Sequence, residues 1–160
     1  MAGNFALDIS RFVNRTHSNV DLVTKKVIIN LMRSVVRKSP VGNPEIWVTM
    51  HNGQYVDYES VHGISIYIGG RFKANWQYEN GSMPSDTLDG VDASGGATLA
   101  RMIGEIPQQA SGKIHYIVNN LPYSIRLENG WSSQAPLGMV GLTISEYQGV
   151  VRRAVQEVNP

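Results

Sequence analysis

Histidine and cysteine are the side chains most able to ligate a transition metal or carry nucleophilic chemistry near neutral pH. The chain holds four histidines, His17, His51, His62 and His115, and no cysteine. The histidines are too scattered for an HxH or HExxH ligand set. Disulfide frameworks, thiolate metal centres, iron–sulfur clusters and a cysteine nucleophile drop out with the missing thiol. Asp86, Asp89 and Asp92 recur every third residue, without the alternating oxygens and closing glutamate of a calcium loop, so turn and cap duty is the expectation for them. Gly69-Gly70-Arg71 and Gly95-Gly96 lack the remaining residues of a dinucleotide or phosphate loop and read as bends. No GxSxG or SxxK motif is present, and Glu105, Glu128, Glu146 and Glu157 form no distinguishable acid and base pair. Neither an enzyme nor a cofactor is expected.

Two patterns remain that could bind rather than react. Lys25, Lys26, Arg33 and Arg37 load one segment with positive charge and could face DNA phosphates or a neighbouring subunit; solvation is the commoner fate of such charges. The mixture of Arg71, Lys73, Trp76 and Tyr78 resembles a single-strand binder in composition, yet alternation puts the aromatics away from the cations. The stretch 119–140 is different in kind. It carries Tyr123, Glu128, Trp131, Gln134, Pro136 and Met139, with no charge after Glu128, and reads as an ordered loop that packs as a lid or docks on a neighbour. Those six residues are the candidate subunit interface.

The elements that must position these residues come from a chain of 160 residues, long enough for one domain with its own core. Residues 1–44 hold seven Lys or Arg against two acids, 45–110 three against eight, and 111–160 four against three. The near-neutral total therefore hides net charges of +5, −5 and +1. On one small subunit, opposite regions suit a heterologous, head-to-tail contact. Asp8 interrupts the first apolar run, which argues against a secretory leader. The longest uncharged stretch, 129–145, is too rich in glycine and serine for a membrane helix.

Apolar residues Val20, Val23, Val27, Leu31 and Val35 predict a helix over 19–38, capped by Ser18 or Asn19 with Asp21 in its first turn and stopped by Pro40 and Gly42. A shorter helix is expected over 6–15. Alternation predicts a strand over 71–78, with Phe72, Ala74, Trp76 and Tyr78 on one face. Ile64, Ile66 and Ile68 suggest another strand before it, with Gly69-Gly70 as the bend. Asn52-Gly53 would turn a hairpin from Trp47-Val48 to Tyr55-Val56. A loop over 79–96, a helix over 97–109, a strand over 113–119, a helical turn over 123–128 and a final helix over 142–158 follow. The sum is an α+β single domain, 1–160: helical over 1–44, strands and long loops over 45–96, and helix, strand, loop and C-terminal helix over 97–160. Long N-terminal helices would pack on a small, mainly antiparallel sheet. Sixteen glycines, 10% of the chain, exceed the usual ~7% and gather at element ends, with 130–141 the leading stretch for fitting against a neighbour.

Three blocks carry a resemblance. They are Ser39-Pro40-Val41-Gly42-Asn43-Pro44 with Trp47; Gly69-Gly70-Arg71-Phe72-Lys73-Ala74-Asn75-Trp76-Gln77; and Tyr116-Ile117-Val118-Asn119-Asn120-Leu121-Pro122-Tyr123, continuing through Leu127-Glu128-Asn129-Gly130, Gln134-Ala135-Pro136 and Gly138-Met139-Val140. In order and spacing they resemble the neck, tail-completion or minor tail proteins of tailed bacteriophages, over nearly the whole chain from Phe5-Ala6-Leu7-Asp8-Ile9 onward. The chain departs by a longer segment, 48–68, before the second block. The resemblance implies a structural virion protein made in the host cytoplasm, forming a homo-oligomeric ring, hexamer or dodecamer, at the head-to-tail joint. It implies neck, connector and tail proteins as partners, DNA passing through with non-specific contact, no membrane and no catalytic residues. From another class, a nucleic-acid-binding accessory protein is the alternative.

Overall fold

The computed structural model describes residues 2–42, 48–51, 54–57 and 69–159, with side chains described over 5–42 and 69–159. The order is α1 (Ala2–Lys38), β1 (Val48–His51), β2 (Gln54–Asp57), α2 (Arg71–Ala74), β3 (Trp76–Asn80), α3 (Gly96–Gly104), β4 (His115–Asn119), α4 (Ser124–Glu128) and α5 (Val140–Val158). This is an α+β layout: a long N-terminal helix with the C-terminal helix packed along it, and two small two-stranded antiparallel sheets.

The two helical stretches expected before residue 38 run as one helix of 37 residues. Ser18, Asn19 and Asp21 therefore sit in mid-helix rather than at a start, and serve other purposes. Asn19 donates its amide to Asn159 Oδ1 at 2.8 Å. Together with Lys26–Glu157 at 2.5 Å and Lys38–Glu146 at 2.6 Å, that bond sets α5 antiparallel along α1. Val27, Val150 and Ala154 are buried in the seam, with Val23, Leu31 and Val151 packed around them. The other side of α1 supplies Ile28, Met32, Val35 and Val36 to the main core, against Phe72, Trp76, Tyr78, Met102, Leu121 and Met139. Met32 and Met102 are fully buried, and truncating either to alanine would cost about 2–5 kcal/mol.

Strand β3 pairs antiparallel with β4, Trp76 opposite Asn119 and Asn80 opposite His115. The strand expected over 71–78 is only half strand. Residues 71–74 form a helical turn after Gly70, whose φ of 111° breaks the extended path. Phe72 and Trp76 are still both buried, because spacings of four on a turn and of two on a strand aim side chains the same way here. Of the expected polar face Arg71 is exposed and Lys73 half-buried, but Asn75 and Gln77 are buried at 0% and 7%. Residues 79–92 fold back over them. Asn75 exchanges hydrogen bonds with the Leu88 backbone (2.8 and 2.9 Å), and the Gln77 amide donates to the Asp86 carbonyl at 2.7 Å.

The predicted hairpin is present as β1 paired with β2, His51 opposite Gln54. Trp47, Asn52 and Gly53, and the alternating Ile64, Ile66 and Ile68, lie outside the described residues. Helix α3 stops at Gly104 rather than near residue 109, where Pro107 cannot supply the amide that a further turn needs.

Candidate subunit interface

The three sequence blocks meet at one crossing point where α1 ends. Ser39, the first residue after Arg37 and Lys38 close the helix, donates its hydroxyl to the Val35 carbonyl and accepts Trp76 Nε1–H, both at 2.7 Å. Gly69 passes so close to residues 41 and 42 that a Cβ there would strike the Gly42 carbonyl and the Val41 side chain. The Gln134 side chain pairs with the Val41 backbone like a strand residue, accepting its N–H at 3.0 Å and donating to its carbonyl at 2.7 Å. The Asn119 amide donates to the Phe72 carbonyl at 2.8 Å, and the Phe72 ring lies 6.0 Å from Trp76 and 6.1 Å from Tyr123. These are neutral bonds and ring contacts, the means of holding backbone segments in register.

Glu128 closes the loop that follows. Its Oε2 accepts the backbone N–H groups of Met139 and Val140, each at 2.9 Å, and its Oε1 that of Gly141 at 2.8 Å. Those are the orphan donors of the first turn of α5, so a carboxylate 12 residues upstream does the work of an N-cap. Burial opposes the charge, but the three donors outweigh it and hold the carboxyl below the usual glutamate range. Gly138, at φ 75°, permits the approach, since a side chain there would meet Glu128.

The six loop candidates separate accordingly. Glu128 and Met139 work inward, Met139 at 1% exposure, while Gln134 is exposed and bonded to Val41 at the surface. Tyr123 is partly covered beside Phe72. Pro136 is exposed and its carbonyl lies against Gly130. Trp131 points outward at 73% exposure, with Arg126 stacked 5.1 Å from its ring centroid and with Ile125 and Leu137 equally exposed. The outward-facing part of the loop is thus Trp131, Ile125 and Leu137; the last two had no signal in the sequence beyond being apolar in a helical turn and a loop.

The basic candidates separate too. Lys25 pairs with Asp21 at 2.7 Å and also donates to the Gln108 carbonyl; Lys26 pairs with Glu157. Arg33 and Arg37 are exposed and have no partner among the described residues. Asp21, missed as a functional contact, accepts the backbone N–H groups of Ala110 (2.5 Å) and Ser111 (3.0 Å), tying 110–111 to α1. The Lys25 bond foremost, with the Ser111 and Ala110 amides, lowers its pKa to about 2. Asp92 meets its expected cap role: against burial, bonds from Thr98, Ser94 and Gly95 lower it to about 2 at the start of α3.

Arg15, Arg33 and Arg37 remain on the outer side of α1 and Glu79, Asp86 and Asp89 on 79–92, in no ion pair among the described residues; Arg71, Lys73, Lys113, Arg126, Arg152 and Arg153 are likewise outside any ion pair there. Successive residues of β3 point to opposite faces. Trp76 reaches Ser39 at the end of α1, and Gln77 reaches Asp86 in the acidic loop. The end of α1, with Arg33 and Arg37, and the acidic loop 79–92 therefore lie on opposite sides of the sheet. Among the described residues no three His, Asp or Glu gather as a metal site, and no helix is long and apolar enough to cross a membrane.

The fold and its surfaces define an α+β domain with two-sided charge and exposed apolar groups at the loop and along α1. Comparison with protein-family models, with curated proteins and with solved structures returned no match.

Proposed function

We propose that the chain is a structural, non-catalytic subunit of a tailed-bacteriophage virion, assembling head to tail into a ring, hexamer or dodecamer, at the joint between head and tail. The observation that carries this is the placement of the end of α1, with Arg33 and Arg37, and the acidic loop 79–92 on opposite sides of the sheet. A subunit that presents opposite charge to its two neighbours propagates a heterologous contact, and such a contact closes into a ring when the rotation allows. The three blocks that resemble neck and tail-completion proteins add support, because they build one crossing point together. The other neck, connector and tail proteins are the expected axial partners, and the virion is the expected location. Negative-stain images of the purified protein test the reading: closed rings of six or twelve support it, and a monomer at every concentration and salt tried would defeat it.

Arg15, Arg33 and Arg37 favour a second reading as a nucleic-acid-binding accessory protein. They share the outer side of α1 over about 33 Å of helix, at 1.5 Å per residue. Such a row would contact duplex phosphates without reading sequence. Duplex binding by the isolated subunit that falls steeply with salt would favour it; none at about 50 mM salt would remove it.

A further inference from the structure

Helix α1 outruns the element that covers it. Asn19 already meets Asn159, the residue after α5 ends, so α1 runs on over 2–18 for about 25 Å; of these residues Phe12, Arg15 and Thr16 still face Val155 and Val158 across an open cavity at the end of α5. The apolar stripe does not stop there. Val27 and Val23 lie in the α1–α5 seam, and the same side of the helix carries Val20, Val13, Phe12, Ile9 and Phe5, exposed by 42–71%. Phe5, Ile9, Phe12 and Thr16 follow the i, i+4, i+7, i+11 pattern of a helix that lies in a groove. Asn14, Thr16, His17 and Ser18 are poor helix formers, so an uncovered arm of this composition gains order chiefly from a partner.

A matching groove lies on the same chain. Leu31 and Val35 of α1, Ile117 of β4, and Val140, Ile144 and Tyr147 of α5 line an open cleft of about 320 Å³. Ile144 is 67% exposed there and Tyr147 48%. Arm and cleft sit some 20 residues apart along one rigid helix, about 30 Å, so an arm cannot fold back into its own cleft but can reach that of the next copy. Phe5 and Phe12, about two-thirds exposed, offer on the order of 300 Å² between them. Ile9, Val13 and the cleft residues carry the contact toward the ~800 Å² per partner of a stable interface.

We infer that the amino-terminal arm of α1 docks its Phe5, Ile9 and Phe12 face into the cleft between α1 and α5 of a neighbouring copy. The inference rests on the ring reading and names the parts that join its subunits. Arm and cleft are different surfaces, so within a ring each copy gives an arm to one neighbour and receives one from the other.

The absence of cysteine makes the contact readable by cross-linking. Full-length Phe12→Cys and full-length Ile144→Cys, mixed before assembly and treated with a short bis-maleimide, are expected to give dimer bands that neither gives alone. Bands from Phe12→Cys alone would show arm against arm and overturn the inference. Independently, the double variant F5D/F12D should self-associate roughly 100-fold more weakly in sedimentation velocity, with an unchanged melting temperature at concentrations where the wild type is itself monomeric. Rings that persist in this variant overturn the arm's role but not the ring, and leave a different protein as the arm's partner. A wild-type chain that forms no oligomer overturns both. A large fall in melting temperature under those monomeric conditions would show that the arm serves its own subunit and would also overturn it.

Discussion

Gln134 and Val41, 93 residues apart, are joined by two hydrogen bonds between the Gln134 side-chain amide and both backbone groups of Val41. The amide copies what a strand neighbour would offer, so the loop after α4 is tied to the segment after α1 without any sheet. Because the pair is partly exposed, Gln134→Ala should cost only about 1–2 kcal/mol. At this chain length that lowers the melting temperature by roughly 2–8 °C. Gln134→Glu should cost at least as much, since a carboxylate cannot donate to the Val41 carbonyl. Differential scanning calorimetry of both variants decides it, and an unaltered transition in Gln134→Ala would contradict the role given to this pair.

Glu128→Ala removes the acceptor for three amides at the start of α5 and should cost about 1–3 kcal/mol. Glu128→Gln keeps one acceptor oxygen and should cost less. Hydrogen exchange is the sharper readout. Protection of the Met139, Val140 and Gly141 amides should fall in Glu128→Ala while the centre of α5 stays protected.

Acid should unfold the protein through Asp21 and Asp92. Each has a folded pKa of about 2, against about 3.9 for an unfolded aspartate. Between those values the unfolded chain binds more protons, so stability rises with pH. The contribution is fully present above about pH 4 and is lost as pH falls through about 2. Asp21→Asn should flatten the dependence of the urea midpoint on pH between about 2 and 4 and leave its slope at neutral pH unaltered.

Trp76→Phe deletes the indole N–H that reaches Ser39 and some ring volume from a site 2% exposed, for about 1–3 kcal/mol. Ser39→Ala in the Trp76→Phe background should cost less than in the wild type. A double-mutant cycle by urea denaturation measures the difference, and strict additivity would mean the bond contributes nothing.

Charge reversal at Arg33 and Arg37 should weaken self-association without moving the melting temperature of the dilute monomer, because neither arginine has an ion-pair partner among the described residues. The deficit should shrink as salt rises. Reversal at Lys25 or Lys26 instead breaks pairs inside the subunit, so it should lower stability, by about 1 kcal/mol or less for the more exposed Lys26.

Local pattern was enough for much of the fold. The periodicity of α1 between Val20 and Val35, the short turn before Glu128, the last helix and the β1–β2 pairing all follow from spacing and turn chemistry, which act between near neighbours. The α+β layout follows from their order, and the uneven charge and the unusual 119–140 loop stand out in composition. Other features depend on residues distant in the chain and leave no local trace. Asn75 looks like a solvent-facing residue of an alternating strand until Leu88 folds over it. Asp21 looks like a dipole residue at a helix start until 110–111 arrives beside it. Glu128 and Gln134 carry no local sign of the Met139 and Val41 backbone groups that they hold. The pairing of Lys25 and Lys26, the freedom of Arg33 and Arg37, and the length by which α1 outruns α5 were likewise set by the meeting of distant segments, because a side chain's partners are chosen by packing and not by its neighbours in the chain.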